Sequence, residues 1–170
     1  MIFLSYSRGD ARQADDWVAN LEQYGYRVWI DREGIRGGLW MRTIVRSIRE
    51  AQAVIVLLSP NSAQSDNVRR EMDLAVQAKK LIIPVEIQTT TIPDVLLFQL
   101  AGVQVLKVWS NPRRGLRLVV AALEEAGVER GSARIVEAIP GRRGSGEADV
   151  DLADLGNLGF LSKIAFWRRK

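Results

Sequence analysis

The sequence predicts an α/β fold, one five-stranded parallel sheet layered between helices. Three observations predict it. Short apolar runs alternate with amphipathic stretches through residues 1–126, the pattern of repeated βαβ units. One run, Ala53–Leu58, is apolar at every position and reads as a strand covered on both faces. Strands joined by helical crossovers must lie parallel, because right-handed crossovers place helices on both sides of the sheet.

Each element follows in order. Ile2-Phe3-Leu4 reads as the first strand. Asp10 or a neighbour caps a helix to about Tyr24, with Ala14, Val18 and Leu21 on one face and Gly25 as the stop. Tyr26–Ile30 is the second strand. Arg36–Glu50 is the second helix, turning Ile44, Ile48 and Leu39 or Trp40 inward. Ala53–Leu58 is the third strand. Ser65 or Asp66 caps a third long helix to about Lys79, with Val68, Met72, Ala75 and then Lys79 along its stripe and Glu71 at the margin. Leu81–Val85 is the fourth strand, Ile92–Leu100 a loop with one short helix, and Val103–Val108 the fifth strand. Pro112–Ala126 is the last helix, closed by Gly127. Five strands favour the flavodoxin-like order 2-1-3-4-5, whose direction reverses between strands one and three. Ligands of such sheets bind beyond the carboxyl ends of the strands at that point. The segments there are Ser5–Asp10 and Ser59–Ser65.

Composition narrows the chemistry. The chain has no cysteine and no histidine. Thiolate metal sites, disulfides, cysteine nucleophiles, histidine triads and imidazole ligands are therefore excluded. Carboxylates, hydroxyls, arginine, lysine, aromatics and backbone remain, and no metal site is expected. The net charge is +4, shared as +2 in residues 1–126 and +2 in residues 127–170. Neither part is a basic arm, so no nucleic-acid partner is expected. No apolar run is long enough to span a membrane, and the start carries no leader pattern. With the lack of cysteine, this points to a cytoplasmic setting.

Phosphate-loop, dinucleotide and nucleophile-elbow motifs are absent. Four strings stand out instead. Phe3-Leu4-Ser5-Tyr6-Ser7-Arg8-Gly9-Asp10 brings hydroxyls, an aromatic and an arginine to the switch point, although a strand end with a helix cap would look the same. Gly25–Asp31 runs into Arg32-Glu33-Gly34-Ile35-Arg36-Gly37-Gly38-Leu39-Trp40, a glycine-rich segment able to cover a ligand, dock a partner or simply connect. Ala53–Ser62 ends a buried strand in polar residues. Ser62–Ala75 carries Glu71, which taken alone reads as a solvated helix charge.

Together these strings resemble a TIR (Toll/interleukin-1 receptor) domain of the bacterial sort. The resemblance rests on Phe3-Leu4-Ser5-Tyr6-Ser7-Arg8-x-Asp10, Gly25–Asp31, Gly37-x-x-Trp40, Leu57–Ser62 with Ser65, Glu71-x-x-x-Ala75 and Ile82–Val85, in register over residues 1 to about 125. It implies a TIR domain over 1–127. It also implies one of two activities. Some members pair TIR with TIR in signalling. Others cleave NAD+ at the nicotinamide–ribose bond, in bacteria as part of anti-phage defence, with NAD+ as substrate and no cofactor. The family's catalytic carboxylate, in a Trp-x-x-x-Glu pattern, falls on Glu71, with Asn67 where the family has Trp. The implied substrate-binding residues are Ser5, Tyr6, Ser7, Arg8, Asp31, Trp40, Ser59 and Ser62. The implied assembly and gating loop is Glu33, Gly34, Ile35, Arg36, Gly37 and Gly38, and it implies homo-oligomers when active. An adaptor without turnover would use the same loop for docking. A receiver domain would need acids after strand one and an aspartate after strand three, where Ser5-Tyr6-Ser7 and Ser59-Pro60 stand. A deoxyribosyltransferase-like enzyme shares a related sheet and a glutamate, but not this motif set.

Residues 128–157 read as a flexible linker rich in Gly, Arg, Asp and Glu. Leu158–Lys170 mixes aromatics with basic residues. It reads as the lead into a further domain or span, with a membrane-surface helix as the alternative.

Overall fold

The sheet is organised around β3 (Ala53–Leu58), whose six residues are all buried. A strand with no polar position has no face to offer water, so it takes the middle of the sheet. The computed structural model describes residues 1–31 and 38–131, with the backbone alone for 38–40. β1 (Ile2–Ser5) pairs on one side of β3 in the register Ile2↔Ala53 to Ser5↔Val56. β4 (Leu81–Glu86) pairs on the other side, from Ala53↔Leu81 to Leu58↔Glu86. The edges are β2 (Val28–Trp29) beside β1 and β5 (Leu106–Lys107) beside β4. All pairs are parallel, and the order among the described residues is β2-β1-β3-β4-β5. This is the expected flavodoxin-like α/β sheet, with its reversal between β1 and β3.

Both edge strands are shorter than the apolar runs suggested. An edge strand pairs on one side only, so fewer backbone groups are held in a ladder. Tyr26, expected at the start of β2, leaves the ladder and buries its ring in the core.

The strand period of two sorts the core into two layers. On one face Ile2, Leu4, Ile55, Leu57, Ile83 and Val85 pack with α1 (Ala11–Gln23) and α6 (Pro112–Glu125). On the other, Phe3, Val54, Val56, Leu58 and Ile82 pack with α2 (Gly38–Glu50), α4 (Asp66–Gln77) and α5 (Asp94–Gln99). A one-turn helix, α3 (Pro60–Ala63), precedes α4. It was not foreseen. Ser59 and Ser62 form a reciprocal capping box around Pro60, which starts a helix readily. α4 ends at Gln77, and Lys79 turns out to solvent in a left-handed conformation (φ 51°), so it does not continue the stripe.

Packing continues past Gly127. Val128 is buried, and the Gly131 N–H donates to Gly25 O at 2.9 Å. The Arg130 guanidinium lies 5.8 Å from the centroid of the Tyr26 ring. The rest of the expected linker and the tail, residues 132–170, lie outside the described residues. Among the described residues no helix is long and apolar enough to cross a membrane.

Candidate active site

Alternation along β1 places the first candidate side chain. Ser5 shares parity with Phe3 and therefore points toward the α4 layer, whereas Leu4 faces the α1 layer. On α4, Val68, Met72 and Ala75 face the sheet and are fully buried. Glu71 falls between them at i+3 from Val68 and is only 7% exposed. It sits within the buried stripe rather than at its margin, because the open end of the sheet leaves room there for a longer polar residue. Ser5 Oγ donates to Glu71 Oε2 at 2.5 Å, across 66 positions of sequence.

Burial pushes the Glu71 carboxyl up to about 7, because the charged form has lost its water. The Ser5 hydroxyl opposes this by favouring the anion, and the negative charge of Asp31 adds to the rise. Glu71 is not tied to Arg69, which pairs with Asp66 at 2.8 Å.

Glu71 opens on a cavity of about 150 Å³. Tyr6, Ser7 and Arg8 form one wall, Asp31 another, and Ser65 and Asn67 the third. Tyr6 Oη donates to Asp31 O at 2.8 Å, fixing the end of β2 against the segment after β1. Arg8 Nη2 lies 3.6 Å from Asp31 Oδ2, with its side chain 60% exposed. The contact is long, and it joins an exposed guanidinium to a largely buried carboxylate. Ser65 caps α4 by accepting the Val68 N–H.

Ser5, Tyr6, Ser7, Arg8, Asp31 and Glu71 are therefore brought to one place. Ser59 and Ser62 are not. Both are fully buried, with hydroxyls engaged in the α3 capping box. Ser59 Oγ also donates to Asp10 Oδ2 at 2.5 Å, and Asn61 Nδ2 donates to Asp10 Oδ1 at 2.7 Å. These residues lock the turn after β1 to the turn after β3. Asp10 stands at the head of α1 without capping it, because its carboxylate is turned to Ser59 and Asn61. Gly38 opens α2. Glu33, Gly34, Ile35, Arg36 and Gly37 lie outside the described residues, as does the side chain of Trp40. Sequence reasoning missed Asn67 as part of the wall. Its spacing of four from Glu71, one helical turn, was the available signal.

A family model for the TIR domain matches residues 2–129. The chain belongs to the TIR domain family. Two curated relatives share part of it. NAD(+) hydrolase tir-1 of Caenorhabditis elegans is 31% identical over 93 residues, covering 49% of this chain and 10% of that protein. NAD(+) hydrolase SARM1 of Danio rerio is 30% identical over 93 residues, covering 49% of this chain and 13% of that protein. The chain thus spans about a tenth of the length of these relatives. Its fold is similar to the crystal structure of the TIR domain of the Toll-related receptor TRR-2 from Hydra magnipapillata, with a TM-score of 0.54 and 20% identity over 68% of this chain and 97% of that one. In this TIR domain the cavity joins a desolvated carboxylate, a hydroxyl, an arginine and an amide. Such a set can hold a polyol and set a negative charge against a developing positive one.

Proposed function

We propose that this TIR domain cleaves NAD+ at the bond between nicotinamide and ribose, with Glu71 as the catalytic carboxylate. One observation carries the reading: a buried Glu71, held by Ser5, at the bottom of a cavity between the carboxyl end of β1, Asp31 after β2 and the first turns of α4. The names of the two curated relatives support it.

The chemistry fits these residues. Nicotinamide leaves NAD+ with the electron pair of the broken bond, so no acid is needed to protonate it. The ribose ring becomes electron-poor, and an ionised Glu71 stabilises that charge. Water attack gives ADP-ribose, and attack from within the molecule gives a cyclic isomer. A cavity of about 150 Å³ is well below the roughly 300–1,000 Å³ of sites that enclose whole ligands, so it takes one end of the dinucleotide. Arg8, at the mouth, meets the diphosphate by exchanging its long contact with Asp31. The reading gives Trp40 the role of meeting a base, and residues 33–38 the roles of gating the site and joining TIR domains. The active form is then a homo-oligomer. We read the chain as a bacterial, cytoplasmic TIR protein in signalling or anti-phage defence.

A second reading, an adaptor without turnover, is favoured by Asn67 standing where the family's catalytic pattern has Trp. NAD+ loss is the test, for wild type and Glu71→Ala at concentrations that permit assembly. Equal, nonzero loss in both removes Glu71 from the reaction. Loss in neither leaves the adaptor.

A further inference from the structure

The outward face of α2 is basic and shares no residue with the lining of the Glu71 cavity. Arg42, Arg46 and Arg49 stand at i, i+4 and i+7, the spacing that lines side chains along one helical face. All three are exposed. Beside them are Met41, 59% exposed, and half-buried Val45, which together with the arginines line a shallow trough. The acid on this face, Glu50, is bound to Arg46 at 2.7 Å. Arg42 and Arg49 have no carboxylate partner among the described residues. Lys80 adds a further cation, its Nζ donating to Arg49 O at 2.5 Å. Such a face keeps three like charges close together, an arrangement that an acidic occupant relieves.

The same chain carries a matching string. Glu147, Asp151 and Asp154 repeat the spacing i, i+4, i+7, and Val150 and Leu155 fall next to them. Val150 stands three residues after Glu147, as Val45 stands three residues after Arg42. No basic residue lies between Arg143 and Lys163. Residues 132–146 connect this string to Gly131, and fifteen residues reach at most roughly 50 Å. A domain of this size has a radius of gyration of roughly 14 Å, so α2 is within reach. Tethering raises the local concentration of the string to the order of millimolar, which lets individually weak ion pairs act together.

We propose that residues 147–155 dock on the Arg42–Arg46–Arg49 face of α2 in the same molecule. The acids pair with the arginines, and Val150 and Leu155 cover Met41 and Val45. The contact is electrostatic in origin and weakens as salt is raised.

The experiment uses the full chain, which has no cysteine of its own. A nitroxide is attached through Ala153→Cys, and amide signals are recorded in ¹⁵N-labelled protein. The expected result is loss of more than half the intensity for residues 41–50, with the rest of the domain little changed. Arg42→Glu with Arg46→Glu and Arg49→Glu abolishes the loss. Adding Glu147→Arg, Asp151→Arg and Asp154→Arg to that variant restores it. The same spectra show whether each variant is folded. No local loss, loss centred elsewhere, or loss that survives the arginine reversals overturns the proposal. So does transfer of the effect to ¹⁵N protein without nitroxide when nitroxide-bearing unlabelled protein is added, because the contact is then between molecules.

Discussion

Of the acidic side chains buried at the carboxyl end of the sheet, Asp10 and Glu71 have surroundings that differ in kind. Asp10 is 1% exposed and accepts from both Ser59 Oγ and Asn61 Nδ2. Glu71 is 7% exposed, accepts from Ser5 Oγ, and faces a cavity. The first carboxylate has a donor for each oxygen and no room around it, so it fastens two turns together. The second has been moved from water with less compensation and with space in front of it. Burial alone does not mark a reactive group. Burial with incomplete satisfaction and an open side marks a candidate.

The sharpest test of that contrast is Glu71→Gln. The substitution keeps the shape and the Ser5 contact but removes the charge. NAD+ cleavage is expected to fall on the order of 10²–10³-fold, measured as nicotinamide release. The same variant should be more stable at alkaline pH. A carboxyl raised from 4.5 to about 7 binds more protons folded than unfolded between those values, so stability declines as pH rises through that window. The decline amounts to about 3 kcal/mol, and Glu71→Gln should recover most of it at pH 8 and none at pH 4. Urea midpoints at the two pH values check this, and a gain independent of pH would break the contrast.

Asp10→Ala should do the opposite. It leaves the buried Ser59 hydroxyl without its acceptor, whereas the exposed Asn61 amide turns to water, and it is expected to cost about 1–3 kcal/mol, largely independent of whether NAD+ is turned over. A variant of wild-type stability would show that Asp10 fastens nothing.

Ser5→Ala gives a smaller and more specific effect. It removes the hydrogen bond that favours the Glu71 anion, so the Glu71 midpoint should move upward. On the proposed reading, activity should rise with pH as Glu71 ionises, and the rising limb of the rate profile should shift to higher pH. An unmoved limb would separate Ser5 from the titrating group.

The smallest effect is expected for Gly9→Ala. A Cβ there would meet Asn61 Nδ2 at 2.7 Å and disturb the Asp10 corner. The neighbouring atoms are the end of a side chain, so the expected loss is about 1 kcal/mol, read from the thermal midpoint.

Much of the site was legible in the chain. Tyr6, Ser7 and Arg8 reached the cavity wall, and Ser5 reached Glu71, because a strand end at the switch point leaves few other places for them. Glu71 was singled out by its motif, yet its helix spacing alone read as a solvated charge. Ser59 and Ser62 were expected at the ligand, but a Ser-Pro-x-Ser run also starts a helix turn, and local hydrogen bonding uses both hydroxyls. Asn67 was seen as a departure from a pattern, and its place in the wall became evident from the helix packing.

By itself the sequence determined the alternation of strands and helices, the central position of Ala53–Leu58, the Ser65 cap and the absence of histidine and cysteine chemistry. These follow from periodicity, capping and composition, which are local properties. The tertiary structure decided that Ser5 meets Glu71 and that Ser59 meets Asp10. Those contacts join residues far apart in the chain, and they depend on which strand neighbours which and how α4 sits on the sheet. The raised carboxyl of Glu71 belongs to the same class, because desolvation is a property of the packed neighbourhood and is invisible in any single stretch of chain.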